Sequence, residues 1–380
     1  ISCLTTCNFY NKKKTASMNH MTHRKKILYI ADAPGPAEML APVIPILKKD
    51  FEAHIIAVGT AMNILQPLGA MACDDELLAD TVYKKIKPDI LVSAISSLTY
   101  GPHVNNTLAR IAYENNIPII SLQDIWGNHR CVQNKEIIPL VNAVCVLDEF
   151  AASLWRQDKF KGEIFVTGSP AFDRFATLDV AKERNRLRAR MGLDVKDRVI
   201  LFAGQGTPHH IEKDKKTFSF VCEAIRMLTQ HSSIKLIARH HPRAVETAYY
   251  DEYSHDIDTI DTSSFTFADE IIPVADVVIS MCSTLSLHAC FMRIPAVSIL
   301  LPEQGRALLK QIGLDDFPPN VMGASVGVYE DDPRVLKDIL EKVFTDELFC
   351  NHMRLAQEKI FMLDGEAAKR VAKVIKKFVQ

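Results

Sequence analysis

Short apolar runs separated by longer amphipathic stretches recur along the chain, the pattern of doubly buried strands alternating with helices. Runs at 26–31, 53–58, 89–93, 117–122 and 143–147 predict strands, with a helix over 105–115. After the first run comes a loop, Asp32-Ala33-Pro34-Gly35-Pro36, and then a helical apolar pattern that continues through Leu47 in spite of Pro42 and Pro45. A strand at 164–167 ends in Gly168-Ser169-Pro170, a charged helix is predicted over 180–191, and at 198–203 the rhythm restarts. The second half predicts helices over 218–229 and 285–291 and strands at 234–238, 277–280 and 296–300. Strands alternating with helices in two such rounds give the expected fold class: α/β, two Rossmann-like doubly wound parallel-sheet domains. The runs at 26–31 and 198–203 each open a half and lead into a loop of Gly and Pro, an architectural echo without sequence repetition.

At the C-terminal end, 366–379 forms an amphipathic pattern with Ala368, Val371, Val374, Ile375 and Phe378 on one stripe and five Lys or Arg opposite. The expected role is a helix packed on the body, with peripheral membrane contact as the lesser alternative. The expected organisation is therefore an N-terminal domain over 24–167, a C-terminal domain over 168–365 and the packed helix over 366–380. Residues 1–23 do not begin with Met and carry no apolar signal core after Lys12–Lys14, so they are expected to be a disordered, vector-derived or truncated upstream segment.

Composition and charge exclude several classes of function. With 45 Lys and Arg against 46 Asp and Glu the chain carries no global field for a polyanion, so nucleic acid is not an expected partner. No apolar run reaches the roughly 18 residues that a spanning helix needs, so no transmembrane segment is expected. The nine cysteines are scattered without a Cys-x-x-Cys pair, which argues against a disulfide framework or zinc ribbon and for a reducing, cytoplasmic setting.

In doubly wound sheets ligands bind beyond the carboxyl ends of the strands, so the loops there carry the candidate chemistry. In the second half these are Gly204-Gln205-Gly206-Thr207, whose glycines let backbone approach a phosphate; Arg239-His240-His241-Pro242-Arg243, with His241 and Arg243 suited to phosphate or base; and Ser280 to Thr284, where Ser283 or Thr284 caps a helix whose N–H groups face an anion. Neither Gly-x-Gly-x-x-Gly nor a P-loop occurs. No metal site is expected: the pairs His209-His210 and His240-His241 match no zinc spacing, and Asp256-Ile257-Asp258 lies in an unsupportive polar stretch. In the first half Glu38 and Asp124, each in or just after a strand-end loop, are the candidate general bases, and Gly35, Trp126, His129 and Arg130 are candidate contacts to an acceptor, Trp126 having a core placement as its alternative.

Taken together these features resemble the GT-B superfamily, which includes nucleotide-sugar glycosyltransferases and the non-hydrolysing UDP-N-acetylglucosamine 2-epimerases. The resemblance spans about 25–378 and rests on Val166 to Asp173 at the crossover, His241-Pro242, Ala275 to Ser280 with Ser283-Thr284, and Ala289 to Pro295. It implies two domains facing a cleft, with Gly204 to Thr207, His241 and Ser283-Thr284 on the nucleotide and the acceptor in the first domain. Asp124 would take the place of the acidic residue that follows the fourth strand in the epimerases. Where relatives carry a ribose-gripping Glu, this chain has His288, and a His-Pro with a Ser-Ser/Thr pair is also similar to bacterial sialyltransferases and CDP-alditol phosphotransferases, leaving the base open.

The leading expectation is a metal-independent glycosyltransferase without a cofactor, moving sugar from a nucleotide-sugar donor to a carbohydrate or lipid-linked acceptor in cell-surface carbohydrate synthesis. The alternatives are a 2-epimerase-type sugar nucleotide isomerase, a CDP-alditol phosphotransferase or sialyltransferase-like enzyme, and an inert sugar-nucleotide-binding protein. A homodimer is compatible with each.

Overall fold

A computed structural model describes residues 24–95, 103–205, 210–228, 233–239 and 268–379. The expected sites Gly206, Thr207, His241 and Arg243, together with His209, His240, Asp256 and Asp258, lie outside the described residues, as does the segment 1–23.

Two parallel sheets organise the described chain. The first has seven strands in the order β3-β2-β1-β4-β5-β6-β7. Its strands are β1 Lys26–Ala31, β2 Glu52–Ala57, β3 Met71–Ala72, β4 Ile90–Ile95, β5 Ile119–Gln123, β6 Ala143–Val146 and β7 Glu163–Val166. The second has five in the order β12-β11-β10-β8-β9: β8 Arg198–Ala203, β9 Ile234–Arg239, β10 Val277–Ser280, β11 Ala296–Ile299 and β12 Val326–Val328. These are the two common doubly wound orders, and each has a switch point where strand order reverses: between β1 and β4 in the first sheet, and between β8 and β10 in the second.

Burial on both faces explains the unbroken apolar runs. In β1, Ile27 and Tyr29 belong to the core on one face and Leu28 and Ile30 to the core on the other; in β8, Ile200 and Phe202 face one way and Val199 and Leu201 the other. The helical pattern after β1 is less continuous than its apolar spacing suggests. One helix covers Pro34–Leu40 and a single turn covers Ile44–Leu47, because Pro42 and Pro45 lack the N–H groups needed to continue the ladder.

The C-terminal helix Ala367–Val379 packs on the first sheet: Val371, Ala372 and Ile375 share a core with Ile27, Tyr29 and Val92. Its basic face is engaged locally, Lys376 with Asp50 and Lys377 with Glu163, both at 2.6 Å. The crossover sequence around 166–173 holds its start. Asp173 accepts the N–H groups of Ala367 at 3.0 Å and Ala368 at 2.8 Å, and the Arg370 guanidinium donates to the Thr167 carbonyl at 2.7 Å. Gly168 turns the chain there at φ +75°, where an added Cβ would lie 3.2 Å from Ala367. No helix among the described residues is long and apolar enough to cross a membrane.

Candidate active site

The loop from β1 into the helix Pro34–Leu40 and the loop after β5 meet at the carboxyl edge of the first sheet. Asp124 projects from the second loop into the first: a Cβ on Gly35 would stand 2.8 Å from Asp124 Oδ2. Only a glycine allows this approach, which is the function the structure gives Gly35. The other carboxylate oxygen accepts the Asn128 side-chain amide at 2.6 Å, and the same amide donates to the Ile95 carbonyl at 2.8 Å. Asn128 therefore orients Asp124 from the end of β4.

Asp32 lies three residues before Gly35, and its Oδ1 is buried without a hydrogen-bond partner among the described residues. Loss of water pushes the Asp32 carboxyl up to about 6. Burial pushes Asp124 up to about 7, the Asn128 hydrogen bond opposing and the Asp32 charge adding to the rise. Helix N–H groups ordinarily lower the pKa of nearby carboxylates, but Pro34 and Pro36 remove two donors from the first turn here. The result is a site with two carboxyls, one of them close to half-ionised at neutral pH.

Glu38 has different company. It sits further along the same helix, where burial raises its carboxyl, Arg174 of the crossover opposes the rise and Asp269 of the second half adds to it. Arg174 binds Asp269 at 2.8 Å. His288 is buried beside this pair, 3.7 Å from Asp269 and edge-on to Phe172 at 5.2 Å, and burial depresses its imidazole to about 3. It is neutral, with neither ring nitrogen hydrogen-bonded among the described residues. Glu38 and His288 thus belong to the seam where the crossover meets the second half.

Of the expected acceptor contacts, Trp126 takes its alternative, core placement, and His129 and Arg130 are engaged within the protein. Trp126 is 0% exposed, gives its indole N–H to Asp148 at 3.0 Å and meets Phe317 of the second half edge-on at 6.4 Å. His129 is buried, stacks on Trp155 at 4.2 Å and bonds Asp158 at 2.8 Å. Arg130 binds Asp158 through Nε at 2.6 Å and reaches across to the Gly313 carbonyl at 2.7 Å, fastening the two halves. The physical reason is Gly127, at φ +72° with its Cα against the Ile312 carbonyl, which turns the loop inward. Asp124 consequently lies in a loop that borders the second half.

In the second half the loops after β8 and β10 flank the switch point. Gln205 ties them together: its N–H donates to Asp214 at 2.7 Å and its side-chain oxygen accepts the Cys282 N–H at 2.9 Å. Gly204 is buried beneath them. Ser283 is the N-cap of Thr284–Phe291, accepting from Leu285 N–H at 3.2 Å, while its own N–H donates to Ser280 Oγ at 3.1 Å. The expectation of several free N–H groups facing an anion is corrected accordingly, since those of Cys282, Ser283 and Leu285 are satisfied within the protein. Thr284 is exposed at the first helical position.

Sequence reasoning passed over Asp32, Asn128 and the bracing role of Gln205. Asp32 carried a readable signal, an acid at a strand's carboxyl end followed by two prolines that withhold N–H donors. The contribution of Asn128 depends on the inward turn at Gly127 and has no local sequence signature.

No family model and no curated relative matches the sequence. Among solved structures the chain is similar to the S. aureus MnaA–UDP co-structure, with 16% identity, a TM-score of 0.67 and coverage of 93% of this chain and 97% of the other. It is also similar to the UDP-GlcNAc 2-epimerase of Methanocaldococcus jannaschii in complex with UDP-GlcNAc and UDP, at 15% identity, TM-score 0.64, covering 93% and 99%. MurG from Acinetobacter baumannii matches at 15% identity, TM-score 0.59, covering 93% and 99%. With the two sheet orders, these likenesses establish a GT-B fold of two Rossmann-like domains.

Proposed function

We propose that the protein is a nucleotide-sugar isomerase of the 2-epimerase type, with a UDP-sugar as substrate and Asp124 as an acid/base group at the sugar. The observation that carries this is the Asp124 carboxyl, pushed up to about 7 and held by Asn128 in a loop bordering the second half. Inverting a carbon that bears hydrogen requires removal of one proton and return of another. In a reversible reaction the same group accepts in one direction and donates in the other, so a carboxyl present in both states at neutral pH suits the task. Glycosyl transfer asks only for acceptance of a proton from the acceptor hydroxyl, and an ordinary ionised carboxylate would serve. The structural neighbours add support, since solved UDP-GlcNAc 2-epimerases recur among them.

The proposed division of labour places the nucleotide at the β8/β10 switch point, against the Gln205-braced loops and exposed Thr284, and the sugar at Asp124. Proton NMR of UDP-GlcNAc with the protein in D2O tests it. Deuterium entering at C2, with the C2 epimer accumulating, is the expected result. An unlabelled, unchanged sugar, or UDP released only when a carbohydrate acceptor is added, would replace this reading with the glycosyltransferase one.

A further inference from the structure

We propose that Asp32 and Asp124 hold one proton between them and act as a single unit, with Asp32 as the positioning partner that keeps Asp124 able to give a proton as well as take one. Its use in turnover rests on the isomerase reading; the pairing itself stands on the residues.

The geometry is that of a half-buried, under-neutralised pair. Asp124 Oδ2 lies against the Cα of Gly35, within the loop that Asp32 begins. Asp32 Oδ1 is buried without a partner, and no Lys or Arg bonds either carboxylate among the described residues. Pro34 and Pro36 supply no N–H to the pocket, so Gly35 is the only one of the first three helical residues that retains a backbone donor. Asp124 accepts from Asn128, a neutral amide whose other bond is committed to Ile95, and from the backbone N–H groups of Ile125 and of Asp124 itself, so every donor to it is uncharged. His103, exposed at the start of Val104–Glu114, acts on Asp32 from a distance, and the Cys131 thiol is pushed up to about 11, chiefly by burial with Asp124 adding to it. Two negative charges so placed repel, and no Lys or Arg among the described residues compensates them, so the second ionisation is suppressed and one proton stays.

During turnover the proton count closes on the pair. When Asp124 takes a proton from the substrate carbon, the C–H electron pair stays on the sugar, the shared proton rests on Asp32, and the pair goes from one proton and a single negative charge to two protons and none. In the reverse direction the pair gives a proton to carbon and returns to a single negative charge; exchange of its protons with solvent between the two steps is what brings deuterium to C2 in D2O.

Titration of protein labelled with 13C at aspartate side-chain carboxyls reads the pairing without substrate. Wild type should show one carboxyl titrating near neutrality. In Asp32→Asn the Asp124 midpoint should fall by about one pH unit or more, remaining above the ordinary range because burial persists, whereas Asp124→Asn should leave Asp32 near its own midpoint, since Asp32 ionises while Asp124 still holds the proton. Gly35→Ala retains both acids and displaces Asp124 Oδ2, so it should lower the near-neutral midpoint and provides a second route if an Asn variant fails to fold. An Asp124 midpoint unmoved by the removal of Asp32 would overturn the proposal. So would loss of the near-neutral titration on adding millimolar Mg2+ or Mn2+, which would make the pair a cation site. If wild type exchanges deuterium into UDP-GlcNAc, the acidic limb of its kcat/KM profile should shift in Asp32→Asn. Absence of any exchange would sink the isomerase reading while the titration still decides the pairing.

Discussion

The loop after β1 and the loop after β10 occupy equivalent places, each leading from a strand at a switch point into a helix, yet their chemistry is opposite. After β1, prolines withhold N–H groups and carboxyls gather, so burial pushes those carboxyls up toward neutral pH. After β10, Gln205, Ser280 and Ser283 satisfy the N–H groups of Cys282, Ser283 and Leu285 around the helix start, so the loop is fixed in shape before a ligand arrives. A doubly wound fold supplies the location of a site, and a handful of residues decides whether it handles protons or holds a charged group.

The sharpest way to break this contrast is to exchange the proton-handling group. Asp124→Asn should lower turnover of the UDP-sugar by about 10²- to 10⁴-fold, the usual contribution of a positioned acid/base group, with UDP affinity by calorimetry nearly unchanged. Equal losses of turnover and UDP affinity would mean that the two loops do not divide the work.

The same substitution should reveal what the proton costs the fold. A carboxyl whose folded pKa is raised binds its proton more tightly in the native state, so the native state holds more protons than the unfolded chain between about pH 4 and 7. Stability from this group is present below about pH 4 and is lost as pH rises through about 7. Asp124→Asn should therefore be more stable than wild type at pH 8, by on the order of 4 kcal/mol, and nearly equal at pH 4. His288 works with the opposite sign: its depressed imidazole makes the wild type lose stability as pH falls below the ordinary histidine range. Denaturant midpoints of the variant minus wild type, taken across pH, isolate the Asp124 contribution; a flat difference would refute it.

Between the halves, Arg130→Ala removes the bonds to Asp158 and to the Gly313 carbonyl. It should cost about 1 to 2 kcal/mol, read as a lower Tm, because the charge-assisted bonds are only partly exposed to solvent. It should also loosen the seam beside Asp124 enough to raise KM more than it lowers kcat. No change in Tm would show that packing of Trp126 on Phe317 holds the seam alone.

Much of this architecture is legible in the sequence because strands buried on both faces write themselves as unbroken apolar runs. Ten of the twelve strands, all but β3 and β12, fall within two residues of those runs at each end. The two-residue β3 is exposed and β12 is only three residues long with Gly327 at its centre, so neither leaves a periodic signature. The site was half legible. Asp124 announces itself as an acid after a strand, but its approach to Gly35 in the loop after β1 is set by sheet order, which puts only β4 between strands far apart in the chain. Trp126 and His129 look ligand-facing because they follow a strand end, and the turn at Gly127 that buries them is a tertiary event.

The smallest expected effect belongs to Gln205, and it tests whether the second loop is fixed in advance. Its backbone N–H reaches Asp214 and would survive substitution, whereas its side-chain oxygen is the acceptor for Cys282 N–H. Gln205→Ala leaves that N–H without its partner, at a cost of about 1 kcal/mol to the loop. If the loop is pre-formed for nucleotide, part of that cost appears as weaker binding, a roughly three- to tenfold rise in the Kd for UDP, because ordering must now accompany association. Turnover at saturating substrate should stay within about twofold, since Asp124 and Asn128 lie in the other half. Glu at this position provides the control: Gln205→Glu retains an oxygen acceptor for Cys282 and adds a negative charge beside the proposed phosphate site. Gln205→Glu should therefore keep the loop's stability and weaken UDP more than Gln205→Ala does. If it binds UDP as well as wild type, the nucleotide does not sit against this loop, and the contrast between the two strand ends has to be drawn elsewhere.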